Sequence, residues 1–324
     1  MSGGYTHITL AQLAAQKAVY NYPDMLHDDA LQALFLWKRY LVVGSLGPDY
    51  PYLDITNPDS IDWANCLHRY LGLDFLRRGI REVRAIRETN IRQKCLAWLF
   101  GFASHAVTDA TIHPVINLKF GPYEKNQAAH RHCEMSQDVL IHPRLNLGPI
   151  SVNRQLSLYV QESSFPGHPE LLDKDIADLW TKVLLSVYGA DCSAPATSVL
   201  TEEAGGDLPL PTPNAWHRAM GRLMRLAERG DRPVPFVRHV AAGQGLIYPH
   251  YPEEEYVKQL EIPVPEGAVM DFEEIFERAL HKVISFWGDM SPALQTRPSR
   301  LDTMSGWSLD TGRNRDGRLI FWED

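Results

Sequence analysis

The sequence lacks the features that define several large protein classes. Its cysteines lie far apart and form no CxxC pair, which excludes a dense disulfide framework and a zinc–thiolate site. Acidic residues outnumber basic ones, and the formal net charge of −8 excludes the global positive field that concentrates nucleic acid. No internal repeat or low-complexity tract is visible. We expect all four cysteines to be reduced core residues: Cys66, Cys95, Cys133 and Cys192.

Long hydrophobic runs are also missing. The segment "CLAWLFGFASHAV" at residues 95–107 is shorter than the roughly 20 residues that a membrane-spanning helix needs, so it predicts a core helix. The N-terminal "MSGGYTHITL" has no basic region followed by an apolar stretch, as a secretory signal peptide would. We therefore expect no transmembrane segment, and either cytoplasmic residence or export without a cleaved signal peptide.

What the sequence does contain is the composition of a globular protein with helical periodicity. Hydrophobic residues make up 44% and charged residues 22% of the chain. Apolar residues at spacings of three and four predict a mainly helical, all-α fold with a less regular C-terminal part that holds short strands. We predict a helical core over residues 1–190 and a C-terminal extension over 191–324, or one continuous domain. Helices are predicted over residues 10–20, 28–43, 61–79, 80–113, 125–142, 169–189, 214–230 and 270–290, with a loop over 44–60.

The segment "HAVTDATIHP" places polar groups inside an apolar helix. His105, Asp109 and His113 recur every four residues, so they share one face of the helix. We expect this helix to end at Pro114. His130 and Glu134 repeat the spacing on another predicted helix. Imidazoles and carboxylates without thiolates form a ligand set for Zn²⁺ and related metals rather than for Ca²⁺ or Mg²⁺.

Structural roles are the alternative for each of these residues alone. A buried histidine is commonly a core residue, and an HxxxD pair is commonly an ion pair. However, burying several ionisable groups costs several kcal/mol unless a metal or a partner charge compensates. His7 just before the first helix, Asp49 in the loop and His68 bring the count to eight donors, enough for two or three metal ions.

These residues resemble the bacterial zinc-dependent phospholipases C, which are distantly similar to single-strand-specific zinc nucleases. The resemblance covers roughly residues 5–140 and implies a mostly helical fold, two or three zinc ions and hydrolysis of phosphodiester bonds. It implies that Asp109 bridges two metals and that Asp49 binds one and accepts a proton from water. The implied metal ligands, in chain order, are His7, Asp49, His68, His105, Asp109, His113, His130 and Glu134.

The chain also departs from the family pattern. His113 follows Asp109 by four residues instead of six, and His132 competes with His130. The family's N-terminal tryptophan, which binds a zinc, is absent; either Ser2 replaces it after removal of Met1, or the third zinc is weak or absent. Residues 145–324 show no resemblance to the lipid-binding domain that some members carry.

The resemblance implies a phospholipid substrate and transient contact with a membrane surface, and the acidic net charge disfavours a nucleic acid partner. Tyr50 matches an aromatic residue of the family's choline pocket, and Trp63 replaces a second one where this chain has Asn65; core packing is the alternative for both. The predicted products are diacylglycerol and a phosphorylated head group from phosphatidylcholine-like lipids. A single-strand nuclease or another phosphoesterase is one alternative function, and a helical metal-binding module without turnover is another.

Overall fold

The fold was analysed in a computed structural model. The structure describes residues 3–54, 57–69, 71–148, 150, 154–188, 210–229, 248–264 and 267–323. Their helices are α1 (Gly4–Asn21), α2 (Asp28–Leu36), α3 (Lys38–Gly44), α4 (Pro58–Leu67), α5 (Gly72–Ala85), α6 (Thr89–Phe120), α7 (Tyr123–Ile141), α8 (Gln155–Glu162), α9 (Lys174–Tyr188), α10 (Pro213–Arg229), α11 (Glu254–Val257) and α12 (Phe272–Leu294). The same ranges contain four 3₁₀ helices, at Pro23–Met25, Gly47–Leu53, His142–Leu145 and Arg300–Asp302.

Strands are few and short in the described ranges. β1 (Ser164–Phe165) pairs antiparallel with β2 (His168–Leu172), and β3 (Leu260–Glu261) pairs antiparallel with β4 (Val269–Met270). The C-terminal segment 303–323, here called the tail, adds two isolated β-bridges, Trp307 with Asn314 and Arg313 with Leu319. The predicted all-α class with short strands is therefore confirmed.

Helix α6 forms the centre of the molecule. It is buried on all sides over most of its length, as expected for a helix that is apolar around its whole circumference. Helices α3 and α12 make its largest contacts. Glycines allow the close approach of α3, because a Cβ atom on Gly44 would lie 2.1 Å from the Trp98 carbonyl oxygen and one on Gly101 would lie 2.1 Å from that of Leu41.

Helix α6 also corrects a sequence prediction. It does not end at Pro114, but continues to Phe120, where Gly121 with φ of 76° follows. Proline removes the N–H that would bond the carbonyl of Ala110. Tail residue Gly312 lies against that same carbonyl, where a Cβ would come within 2.4 Å of the oxygen. The tail therefore packs against the carbonyl that loses its helical hydrogen bond to the proline.

Three other predicted helices were wrong in extent. The segment 28–43 is divided at Trp37, whose φ of −114° and ψ of 36° are not helical. The segment 61–79 is divided between α4 and α5. The segment 169–189 begins as strand β2 and becomes helical only at Lys174. Periodicity alone cannot locate such breaks, since the apolar pattern runs through them.

The first helix and the predicted loop also differ from expectation. Helix α1 begins at Gly4, so His7 lies inside it and not before it. Part of the loop, Gly47–Leu53, forms a buried 3₁₀ helix that carries Asp49. Both differences place a candidate ligand on a rigid element.

Other predictions concern cysteines and chain organisation. Cys66, Cys95 and Cys133 are buried and form no disulfide bond with one another, as expected, whereas Cys192 and Ser2 lie outside the described residues. No described helix combines the length and apolar character needed to cross a membrane. The boundary near residue 190 stays a prediction, and α12 from the predicted extension packs directly on α6.

Candidate metal centre

The three polar residues of α6 converge as their spacing predicts. Asp109 lies between the two imidazoles, with its Oδ2 atom 3.1 Å from Nε2 of His105 and its Oδ1 atom 3.1 Å from Nε2 of His113. All three side chains are almost completely buried. The helix therefore presents one carboxylate flanked by two imidazoles on a closed face.

Three other elements bring further donors to this face. From α1, His7 places its Nε2 atom 3.2 Å from Oδ1 of Asp109 and stacks its ring 3.8 Å from that of His105. His68, at the end of α4, lies with Nε2 at 3.2 Å from Oδ1 of Asp49 and 4.0 Å from Oδ2 of Asp109. Asp49 Oδ1 is also 3.9 Å from Nε2 of His105. Residues that are far apart in the sequence thus form one buried cluster.

Backbone carbonyls fix the tautomers of three imidazoles. The Nδ1 atoms of His68, His105 and His113 lie 2.7, 2.8 and 2.5 Å from the carbonyl oxygens of Ala64, Ser45 and Leu309. A carbonyl oxygen only accepts hydrogen bonds, so each Nδ1 carries the proton. In the neutral rings the Nε2 lone pairs therefore face the cluster, as in metal-binding histidines oriented by a second hydrogen bond.

The donor atoms fit a zinc site. Within the described residues, none of the Nε2 atoms of His7, His68, His105 and His113 has a hydrogen-bond partner, although all are buried. Imidazole lone pairs and carboxylate oxygens at 3.1–3.2 Å repel unless a cation or a proton lies between them. Tetrahedral zinc with bonds of 2.0–2.1 Å separates neighbouring donors by about 3.3 Å. The observed spacing therefore suits a shared cation.

Two groups of donors each gather within 4.8 Å: His7, His105 and Asp109 form one, and Asp49, His68 and His105 form the other. The two groups share His105, and Asp109 contacts members of both groups. The arrangement therefore accommodates two or three zinc ions, in agreement with the predicted cofactor.

The electrostatics keep both carboxylates ionised but do not keep every imidazole neutral. Burial lowers the pKa of His105, but Asp109 and Asp49 outweigh it and raise this pKa above its usual value. Burial alone raises the pKa of Asp109, but the imidazoles of His113, His105 and His7 outweigh it and hold the pKa well below its usual value. Burial likewise opposes ionisation of Asp49, and His105 and His68 lower its pKa. Burial lowers the pKa of His7 to about 4, so this ring is neutral at neutral pH.

His130 and Glu134 lie on α7, which packs against α6, and both are buried. Nε2 of His130 lies 2.7 Å from the Gly121 carbonyl oxygen. Neither residue belongs to the two groups of described donors that gather within 4.8 Å. The competing His132 is exposed on the opposite side of α7. The assignment of His130 and Glu134 as ligands remains a prediction.

Tyr50 and Trp63, the predicted head-group residues, lie in aromatic clusters of the core. Tyr50 is fully buried, with ring centroids 5.9 Å from Trp180 and 6.2 Å from His217. Trp63 is buried edge-on against Tyr188 at 5.8 Å. In the sequence, Tyr50 directly follows the candidate ligand Asp49, whereas Trp63 precedes the candidate ligand His68 by five residues.

Sequence reasoning missed the residues that support the donors. The carbonyls of Ser45, Ala64 and Leu309 have no side-chain signal that could identify them. Asp138 does have one, since it continues the four-residue spacing of His130 and Glu134. Its buried carboxylate accepts hydrogen bonds from the backbone N–H groups of Tyr5 and Thr6, at 3.3 and 2.6 Å, and thereby fixes the start of α1 beside His7.

A helical fold around buried histidine and aspartate donors is typical of enzymes that hold zinc through nitrogen and oxygen ligands alone. The family model described as zinc dependent phospholipase C matches residues 6–189, more than half of the chain. The chain therefore belongs to the zinc-dependent phospholipase C family, and it is a zinc-dependent phosphodiester hydrolase. The match includes all eight candidate ligands and excludes Leu309. Searches of curated proteins and of solved structures found no match.

Proposed function

We propose that the protein cleaves phosphatidylcholine-like lipids into diacylglycerol and a phosphorylated head group, with the eight donors as its zinc ligands. The position of the Asp109 carboxylate, within 3.2 Å of three imidazole nitrogens, is the observation that carries this proposal. A carboxylate with both oxygens engaged in this way suits a bridge between two ions. Tyr50, next to Asp49 and among other aromatic rings, supports a head group with a quaternary ammonium.

The chain's own groups have distinct roles in this reaction. Bound zinc supplies Lewis acidity and a hydrolytic nucleophile at neutral pH. His68 and His105 hold their Nε2 lone pairs toward the centre because their Nδ1 protons are bound to carbonyls. Asp49 is kept ionised, so its carboxylate accepts the proton that the attacking water loses. Burial of the cluster excludes bulk water from these groups.

Replacement of the central carboxylate tests the proposal. Asp109→Asn keeps the size of the side chain but removes the negative charge between three imidazoles. We expect loss of at least one equivalent of zinc, measured by metal analysis, and a fall in phosphatidylcholine hydrolysis of about 100-fold or more. Asp173→Asn is the matched control, because Asp173 is buried but binds Lys94 and Tyr40 instead of the cluster.

The outcomes separate the competing functions. Unchanged zinc content and hydrolysis in Asp109→Asn would show that the bridging carboxylate is assigned wrongly. If the wild-type protein degrades single-stranded DNA and leaves phosphatidylcholine intact, the lipid substrate is wrong and the nuclease alternative is correct. A fully metallated protein without activity on a chromogenic phosphodiester would indicate a binding module.

A further inference from the structure

A basic groove lies outside the metal centre, between α5 and the segment that follows α12. Its volume is about 460 Å³, and four arginines line it: Arg77, Arg81, Arg84 and Arg297. We call it the arginine groove. The first three occupy positions i, i+4 and i+7 of α5, so they share one helix face. No step of the proposed reaction uses these residues.

Two of the arginines are fixed by backbone groups. Arg77 donates to the carbonyl oxygens of Leu301 and Met304, the latter at 2.8 Å, and Arg84 donates to that of Ala293 at 3.1 Å. Carbonyl oxygens orient a guanidinium group but do not neutralise its charge. These contacts therefore hold two positive charges at one wall of the groove.

The other two arginines are available for a ligand. Arg81 and Arg297 are exposed, and the guanidinium group of neither forms a hydrogen bond or ion pair with another described residue. Two carboxylates lie near the groove: Asp74 pairs with Arg77 at 3.1 Å, and Asp302 accepts the backbone N–H of Ser299. Four arginines against two carboxylates leave the groove positive in a chain of net charge −8.

The chemistry of the groove suits a phosphate group with an apolar neighbour. Guanidinium groups match phosphate oxygens by paired, charge-assisted hydrogen bonds. Apolar atoms of Ile80, Ala293, Pro298 and Leu301 line the rest of the groove. The volume holds one small molecule or head group.

We propose that the arginine groove binds the head-group phosphate of an anionic phospholipid and thereby attaches the enzyme to the membrane. This inference rests on the proposed lipid substrate. A phosphate-bearing lipid offers both the anion and the apolar portion that the groove accommodates, and the membrane presents many copies of it beside the substrate.

The groove and the metal centre share one segment of chain. Met304, whose carbonyl binds Arg77, precedes Leu309 by five residues, and Leu309 bonds both His68 and His113. Five residues span at most about 18 Å. One short segment of chain therefore contacts both the arginine groove and the histidines of the metal centre.

Binding to vesicles tests the inference directly. The double variant Arg81→Gln with Arg297→Gln removes the two available charges, and Arg218→Gln with Arg222→Gln removes two exposed arginines of α10 as a matched control. Zinc-loaded proteins are sedimented on ice with phosphatidylcholine vesicles, with or without phosphatidylglycerol. Lipid phosphorus in the pellet confirms that the vesicles persist, and circular dichroism confirms the fold.

We expect phosphatidylglycerol to strengthen binding of the wild-type protein, and the groove variant to lose about tenfold or more of that binding. The control variant should lose less than about threefold. Equal binding to both vesicle types, or equal losses in the two variants, would overturn the proposal. Groove-dependent binding of inorganic phosphate or of a single-stranded oligonucleotide without vesicle binding would overturn the lipid assignment.

The vesicle result does not depend on turnover, so the two proposals fail separately. Groove-dependent binding without phosphatidylcholine hydrolysis would refute the proposed substrate alone. Hydrolysis without groove-dependent binding would refute the membrane role of the arginine groove alone.

Discussion

The Nδ1 atom of His113 lies 2.5 Å from the carbonyl oxygen of Leu309, which follows it by 196 residues. The family match ends at residue 189, so the group that orients this imidazole belongs to a part of the chain outside the match. Trp307 and Trp322 attach the same tail to α6 through hydrogen bonds to the carbonyls of Ala106 and Thr111. The tail is thus part of the support of the metal centre.

Two glycines of the tail test this support. Gly312 and Gly317 both have positive φ, of 66° and 84°, so alanine is strained at either position. Only at Gly312 would the new Cβ meet α6, 2.4 Å from the Ala110 carbonyl oxygen, whereas nothing lies within 4 Å at Gly317. We expect Gly312→Ala to reduce zinc content and activity, and Gly317→Ala to cost about 1 kcal/mol of stability without loss of zinc. Equal effects on zinc content would contradict a role of the tail.

Because of the buried Asp138 carboxyl group, we expect the contribution of this residue to stability to fall as the pH rises toward 7. Burial raises its pKa from 3.8 to about 7, and hydrogen bonds from Thr6 and Tyr248 only partly oppose this. Between about pH 4 and 7 the folded chain therefore holds a proton that the unfolded chain has lost. The contribution of this group to the free energy of unfolding is fully present below about pH 4 and is lost as the pH rises through 7.

Asp138→Asn removes this titration. Relative to the wild-type protein, the variant should gain up to about 4 kcal/mol in free energy of unfolding between pH 4 and 8, because each pKa unit corresponds to about 1.4 kcal/mol. Urea unfolding of both zinc-loaded proteins at several pH values measures the difference. A difference that stays constant over this range would show that Asp138 titrates at its ordinary pKa.

The sequence predicted the donors of the cluster better than the elements that carry them. The four-residue spacing of His105, Asp109 and His113 requires a common face on any α-helix, and the structure has that face. The end of the helix was predicted wrongly, because Pro114 is a local signal and its tolerance depends on Gly312 and the rest of the tail. The presence of this helix follows from the local sequence, whereas its length depends on tertiary contacts.

The supporting contacts could not be predicted for a different reason. Ser45 and Leu309 act through backbone carbonyls, which every residue has, so their identity says nothing about the role. His7 was expected before α1 because the apolar periodicity starts only at Leu10, yet Asp138 bonds the N–H groups at the beginning of the helix and extends it to Gly4. Such a contact joins residues more than 130 positions apart.

The two histidines of "HRHCE" provide a matched pair for the predicted ligand on α7. His130 is buried and lies one turn before Glu134, whereas His132 is exposed. We expect His130→Gln to lose about one equivalent of zinc and His132→Gln to keep all of it, because only the first side chain lies on the buried face. Metal analysis of the two purified variants measures this. Retention of all zinc by His130→Gln would remove His130 from the ligand set.

Replacement of tyrosine by phenylalanine should change the stability of the protein in opposite directions at Tyr50 and Tyr40. Its hydroxyl is buried without a hydrogen-bond partner among the described residues, whereas the hydroxyl of Tyr40 donates to Asp173 at 2.8 Å. An unsatisfied buried hydroxyl costs free energy, so Tyr50→Phe should stabilise the protein by about 1 kcal/mol and Tyr40→Phe should destabilise it by a similar amount. Thermal unfolding of both variants tests the signs.

The same Tyr50→Phe variant distinguishes two roles of the residue in substrate binding. Attraction of a quaternary ammonium needs only the aromatic face, so KM for phosphatidylcholine should be unchanged when the ring is kept. Tyr50→Leu, which removes the ring, should then raise KM for phosphatidylcholine more than for a lipid with a primary ammonium head group. A raised KM already in Tyr50→Phe would instead show that the hydroxyl, which has no hydrogen-bond partner among the described residues, forms a hydrogen bond with the substrate.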